Sequence, residues 1–183
     1  MGMLVELDHS LVDVTPAFES PWLTSVFIVL SAWWVKGPVL IGLGLAADVL
    51  RRRRVPIAFL AAGAATIVTS IVVDVLKNTF DRARPPESDP GLGSLVAIPD
   101  NPSFPSGHAA TAFAAATALA VLCPKLRPWA LGLAAAVALS RVYLRVHFPF
   151  DVLVGGLLGA GLGALAGYVA LSAIRPRERP AAA

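Results

Sequence analysis

Residues 152–174 read VLVGGLLGAGLGALAGYVALSAI, with no charged side chain among them. A helix rises about 1.5 Å per residue, so a run of this length crosses ~30 Å of hydrocarbon. Within it, Gly155, Gly159, Gly163 and Gly167 recur every four residues. On a helix that spacing makes one smooth ridge, which lets a neighbouring helix come close. A second run, Val55 to Leu76, is long enough to cross as well, and shorter apolar runs occupy Ala109 to Cys123 and Trp129 to Leu139. With 183 residues, 56% of them hydrophobic, the chain reads as an all-α integral membrane bundle forming a single domain over residues 1–183. Ala110, Ala114 and Ala118 form a second small-residue stripe, and both stripes read as packing seams inside the bundle rather than as dimer faces.

The stretch from Trp22 to Leu50 is interrupted by Lys36-Gly37-Pro38. Gly and Pro punctuate a chain, and a lysine at mid-bilayer is costly. The expectation is a helical hairpin: Ser20 as N-cap, Pro21 at the first helical position, one helix to about Val35 and another from Pro38 to about Leu50. That gives six spans, with five as the alternative. Residues 1–20 form an amphipathic N-terminal segment. They contain Glu6, Asp8, Asp13 and Glu19 but no cation, which is unlike a cleavable signal peptide.

Charge sets the orientation. Arg51 to Arg54, Lys125, Arg127, Arg175, Arg177 and Arg179 fall on one side, nine of the 15 cations. The positive-inside rule assigns that side, both termini and the tail 175–183 to the cytoplasm of a multi-pass cell-membrane protein. Trp22, Trp33, Trp34 and Trp129 fall at interfaces, as an aromatic belt requires. The single cysteine, Cys123, excludes an internal disulfide or a cysteine metal cluster, and reads as a small buried apolar residue.

Three polar segments remain, each where an apolar run meets a loop on the opposite, extracytoplasmic face. They are Lys77-x6-Arg84-Pro85, Pro105-Ser106-Gly107-His108 and Ser140-Arg141-x5-His147-x3-Asp151. Phosphoryl transfer needs positioning and charge neutralisation more than covalent help. Lys77, Arg84 and Arg141 offer three cations to the non-bridging oxygens of one phosphoryl group. Ser106 and Gly107 open a helix whose N-terminal N–H groups face an anion, with Gly107 allowing close approach. His147, followed four residues on by Asp151, has the partner that fixes an imidazole tautomer and makes the other ring nitrogen a nucleophile. His108 is then the general acid.

Taken singly, each cation has an equally good reading as a headgroup anchor, and each histidine as an interfacial residue. Three cations, two histidines and an aspartate on one otherwise nearly uncharged face read together as an anion site. Elsewhere, Asp74 is expected to pair with or orient Lys77, and Asp48 to pair with Arg51 or Arg52. His9 reads as interfacial, and Arg82 and Arg145 as headgroup anchors or contacts to a second phosphate.

The three segments resemble, in order and spacing, the tripartite signature of the type 2 phosphatidic acid phosphatase superfamily. The resemblance covers Lys77 to Asp151 and implies a six-helix core and a phosphohistidine on His147. It also implies a proton donor at His108 and phosphate contacts from Lys77, Arg84, Ser106, Gly107 and Arg141. No metal, cofactor or nucleic-acid partner is expected, and no oligomeric state is indicated. The bilayer and a lipid phosphate are the expected partners. A polyprenyl diphosphate of a cell-envelope carrier cycle is the first substrate, and phosphatidate or phosphatidylglycerophosphate the second. A non-catalytic anion-binding protein or transporter is the alternative of another class.

Overall fold

The computed structural model describes residues 2–32 and 34–174, and the regular structure among these is all helical, with no strand. Trp33 and the tail 175–183, with its three arginines, lie outside the described residues. The helices are α1 (Gly2–Asp13), α2 (Pro21–Leu30), α3 (Leu40–Leu50), α4 (Ile57–Phe80), α5 (Pro85–Ser88), α6 (Gly107–Leu122), α7 (Arg127–Tyr143) and α8 (Pro149–Ile174). Short 3-10 turns follow α1 and precede α7, and a π-helical turn, Val35–Val39, leads into α3.

The core is α6, packed against α4, α7 and α8. Its alanines at 109, 110, 112, 114, 115, 116, 118 and 120 are all buried. A helix apolar all round has no face to give to solvent, and alanine combines the highest helix propensity with the smallest side chain. The two stripes read from the sequence face each other. A Cβ on Gly155 would lie 2.5 Å from the Ser106 carbonyl oxygen. On Gly159 and Gly163 it would run into the Ala110 and Ala114 carbonyls, and on Gly167 it would lie 2.8 Å from Val121 Cβ. In lipid such close backbone approach supplies the dispersion contacts that hold helices together. It also fixes the start of α6 against the start of α8, where the Ser106 N–H donates to the Asp151 carbonyl at 3.0 Å.

Contacts at the two ends of the bundle trace the path of the chain. At the end away from these helix starts, the Asp48 carboxylate accepts the Ala58 and Phe59 N–H groups at 2.7 and 3.0 Å, capping α4. Arg51 there donates to the Leu122 carbonyl, and the ion pair of Asp48 is with Arg53 at 3.4 Å, not with Arg51 or Arg52. At the other end, the Ser20 N–H and Thr24 lie 3.3 and 3.0 Å from the Tyr143 hydroxyl, and Phe27 packs at a tilt against the same ring. Segment 21–50 therefore starts at one end of the bundle and finishes at the other, as the five-span alternative requires. Ser20 and Pro21 do open α2, but the chain bends by 65° after Leu30 and does not reverse at Lys36-Gly37-Pro38. The π turn accommodates Pro38 within the helix, and Lys36 faces a polar cavity, where a charge is tolerated.

The N-terminal segment lies at the end where α6 and α8 begin. Ile57–Ser88 and Pro149–Ile174 are each long and apolar enough to span a membrane, while α6 is a shorter apolar helix of 16 residues. Trp22 and Trp129 are exposed at opposite ends of the bundle.

Candidate active site

The motif residues meet at the end of the bundle where α4 and α7 finish and α6 and α8 start. Lys77, in the last turn of α4, sends Nζ to Asn101 Oδ1 at 3.0 Å and to the Pro102 carbonyl. The expected partnership with Asp74 is not formed; Asp74 instead lines the same cavity. Arg84 is 1% exposed. Its Nε and Nη2 donate to the Asn101 carbonyl and Oδ1 at 3.0 and 2.8 Å, and Nη1 donates to the Val146 carbonyl at 2.5 Å. That Nη1 also lies 3.5 Å from His147 Nε2. Asn101 Oδ1 thus holds Lys77 and Arg84 side by side, which offsets their mutual repulsion with one shared acceptor.

His147 is 2% exposed, in the loop between α7 and α8. Its Nδ1 is 3.7 Å from Asp151 Oδ2, too long for a direct hydrogen bond. Ser103 fills the gap: its hydroxyl donates to Asp151 Oδ2 at 2.5 Å and stands 3.3 Å from His147 Nδ1. Asp151 Oδ2 also accepts the Phe148 N–H at 3.0 Å, while Oδ1 accepts Arg82 Nη1 at 2.6 Å. Burial above all, with the charges of Arg84 and Arg141, pushes the His147 pKa down to about 3 despite the upward pull of Asp151. The ring is neutral through the physiological range.

On the facing side, Arg141 donates from Nη1 to Ser31 Oγ, and His108 Nε2 lies 3.1 Å from the Ser31 carbonyl. That carbonyl is exposed to a partner because α2 ends at Leu30. Ser106 is the N-cap residue of α6 and Gly107 its first residue. Ser106 Oγ and Arg141 Nε are buried with no partner among the described residues, which is costly unless a ligand accepts from them. One cavity of about 190 Å³ is lined by Lys36, Asp74, Lys77, Arg84, Asn101, Gly107, His108, Arg141 and His147.

The sequence reading missed Ser103, Asn101, Ser31 and the cavity position of Lys36, since nothing in their local spacing marks them. Neither Arg82 nor Arg145 lines this cavity. Arg82 joins Asp8 to Asp151, and Arg145 pairs with Glu19 and donates to Thr15 Oγ1 at 3.0 Å and the Leu92 carbonyl at 2.8 Å. His9 packs against Phe148, with ring centroids 4.7 Å apart.

The model of the PAP2 superfamily matches residues 58–175. Decaprenylphosphoryl-5-phosphoribose phosphatase of Mycobacterium tuberculosis is 37% identical over 131 residues, 70% of this chain and 69% of that one. Undecaprenyl-diphosphatase of Sulfolobus acidocaldarius is 36% identical over 107 residues, 55% of this chain and 52% of that one. Among solved structures, a transmembrane PAP2-type phosphatidylglycerolphosphate phosphatase from Bacillus subtilis superposes with a TM-score of 0.76 at 26% identity, covering 97% of this chain and 90% of that chain.

Proposed function

This chain belongs to the PAP2 superfamily and is a membrane phosphatase, and from that premise we propose that it removes the terminal phosphate of a polyprenyl lipid bearing two phosphates. The observation that carries the chemistry is the single cavity in which Lys77, Arg84, Arg141, His108 and His147 meet. His147 donates Nδ1–H toward Ser103 and Asp151, which leaves the Nε2 lone pair facing the cavity. Nε2 attacks phosphorus, the bond to the leaving oxygen breaks, and His108 gives that oxygen its proton. His108 then deprotonates a water that attacks the phosphohistidine and releases inorganic phosphate. With Nε2 of His108 held at the Ser31 carbonyl, Nδ1 is the nitrogen that serves the leaving oxygen. Lys77, Arg84, Arg141, Ser106 and Gly107 bind the phosphoryl oxygens, with Ser106 Oγ and Arg141 Nε supplying the two unpaired donors.

Lys36 supports the substrate class. It is a fourth cation in the cavity, beyond the three that one phosphoryl group needs, and has no ion pair or hydrogen bond from its ammonium among the described residues. A second phosphate between the scissile bond and the lipid tail would meet it. A polyprenyl diphosphate, the first reading, has that second phosphate. So does the substrate named for the mycobacterial relative, a polyprenylphosphoryl pentose phosphate, which is the second reading. We place the site on the extracytoplasmic face, because all the cations of the α3–α4 and α6–α7 turns lie at the opposite end.

The test is phosphate release by purified protein in chelator, from a polyprenyl diphosphate, a polyprenylphosphoryl 5-phosphopentose, a polyprenyl monophosphate and phosphatidate. The two-phosphate lipids should be hydrolysed best, and Lys36→Gln should erase most of that preference. A preference for phosphatidate would reject the substrate class, and full activity in His147→Ala would reject the mechanism.

A further inference from the structure

Arg82 is the strongest feature that the proposed chemistry leaves unused. Its Nη1 donates to Asp151 Oδ1 and its Nη2 to Asp8 Oδ2, each at 2.6 Å, and its guanidinium carbon sits 4.3 Å above the Phe148 ring. Asp8 is 4% exposed, unusual for a carboxylate on a terminal helix. Its second oxygen, Oδ1, accepts the Phe150 N–H at 2.8 Å, in the first turn of α8, one residue before Asp151. One side chain of α1 therefore touches both the cation that holds the Asp151 carboxylate and the backbone that carries it.

The rest of α1 fits that arrangement. Asp8 and Val12 are buried one helical turn apart, while Leu7 and Leu11 are exposed on another face. The N-terminal segment is fastened a second time by Arg145, through Thr15 and Glu19.

We propose that Asp8 and Arg82 are positioning residues for the phosphatase reaction, through which α1 holds the Asp151 carboxylate in place behind His147. Neither lines the cavity. Their effect passes through Asp151, so the proposal rests on His147 and Asp151 acting as described above. The buried fork matters because Asp151 is fully enclosed, and Arg82 is its one permanently charged partner among the described residues. Asp8 shares that guanidinium, so Arg82 draws less electron density from Asp151, and the carboxylate keeps its strength as an acceptor for the Ser103–His147 pair.

The experiment measures kcat and KM of full-length wild type, Asp8→Asn, Asp151→Asn and the double variant on a polyprenyl diphosphate, together with thermal unfolding of each. Asp8→Asn should lower kcat about ten- to a hundredfold, as loss of a supporting hydrogen-bond partner does elsewhere, with KM within about twofold. In the Asp151→Asn background the same change should have no further effect on kcat, because its target is gone. An unchanged kcat in Asp8→Asn, or an equal loss in both backgrounds, overturns the proposal. If Asp8→Asn does not fold, Arg82→Lys keeps the charge but removes the fork and should show the same kcat-only loss; unchanged kcat there overturns it too. Failure of the underlying reading looks different: wild type would release no phosphate, or Asp151→Asn would match wild type.

Discussion

Ser103 stands between the two members of the His147–Asp151 pair, 2.5 Å from the carboxylate and 3.3 Å from the imidazole, while those two remain 3.7 Å apart. The hydroxyl accepts from Nδ1–H and donates to Oδ2, so it both fixes the tautomer and transmits the carboxylate's charge. Ser103→Ala should leave a buried ring without its near partner and lower kcat by about ten- to a hundredfold, with KM little changed. Steady-state kinetics on the polyprenyl diphosphate check this, and a loss confined to KM would contradict it.

The depressed pKa of His147 predicts a pH response. Its folded value of about 3 lies well below the ordinary value of 6.5. The folded protein therefore holds the ring neutral between those values, while the unfolded chain binds a proton. This contribution to stability is fully present above about pH 6.5, and is lost by roughly 1.4 kcal/mol per pH unit as pH falls toward 3. Thermal unfolding temperatures should drop through that window in wild type, and less steeply in His147→Gln. For activity the sign is also definite: protonation of the nucleophile cannot produce an acid limb near pH 6.5. A limb there that shifts in His108 variants belongs to the proton donor or the substrate.

The glycine ridge gives a stability prediction with an internal control. At Gly159 an added Cβ collides with the Ala110 carbonyl, and backbone in the middle of two helices cannot yield. Gly159→Ala should cost on the order of 1–3 kcal/mol, the range for overpacking, and lower the unfolding temperature. Gly161, two positions on, has nothing within 4 Å of an added Cβ. Gly161→Ala should be neutral or stabilising by up to about 1 kcal/mol through helix propensity. Gly155→Ala presses on the Ser106 carbonyl instead, so it should also lower activity, because Ser106 opens α6 beside His108.

What was legible in the sequence follows the same physics. The α6–α8 seam was visible because four-residue periodicity of small side chains has one structural use in lipid. The members of the cavity were visible because cations and histidines at span ends are expensive and share one face. Ser103 and Asn101 were not, since a serine and an asparagine in a polar loop carry no marker until folding sets them against Asp151, Lys77 and Arg84. Arg82 and Arg145 were ambiguous because their partners lie in the N-terminal segment, beyond any local spacing rule. The path of 21–50 is hard to read locally, because the punctuation of Lys36-Gly37-Pro38 looks like a turn. A π turn and a polar cavity outweigh that punctuation.

The path of segment 21–50 makes a topological prediction. Segment 21–50 enters at the Tyr143 end and leaves at Asp48, so residues 2–20 share the end that contains His147. The cation-rich α3–α4 and α6–α7 turns lie at the other end, which the positive-inside rule assigns to the cytoplasm. The prediction is that residues 2–20 and the C-terminal end of α8 lie on opposite sides of the membrane. Ser10 is exposed on α1, and the native Cys123 is buried, so Ser10→Cys provides a selective probe. In intact cells a membrane-impermeant maleimide should label Ser10→Cys from outside, while a reporter fused after Arg179 should read as cytoplasmic. Labelling of Ser10→Cys only after lysis, with the fusion still cytoplasmic, would restore an even number of spans and contradict the single crossing of 21–50.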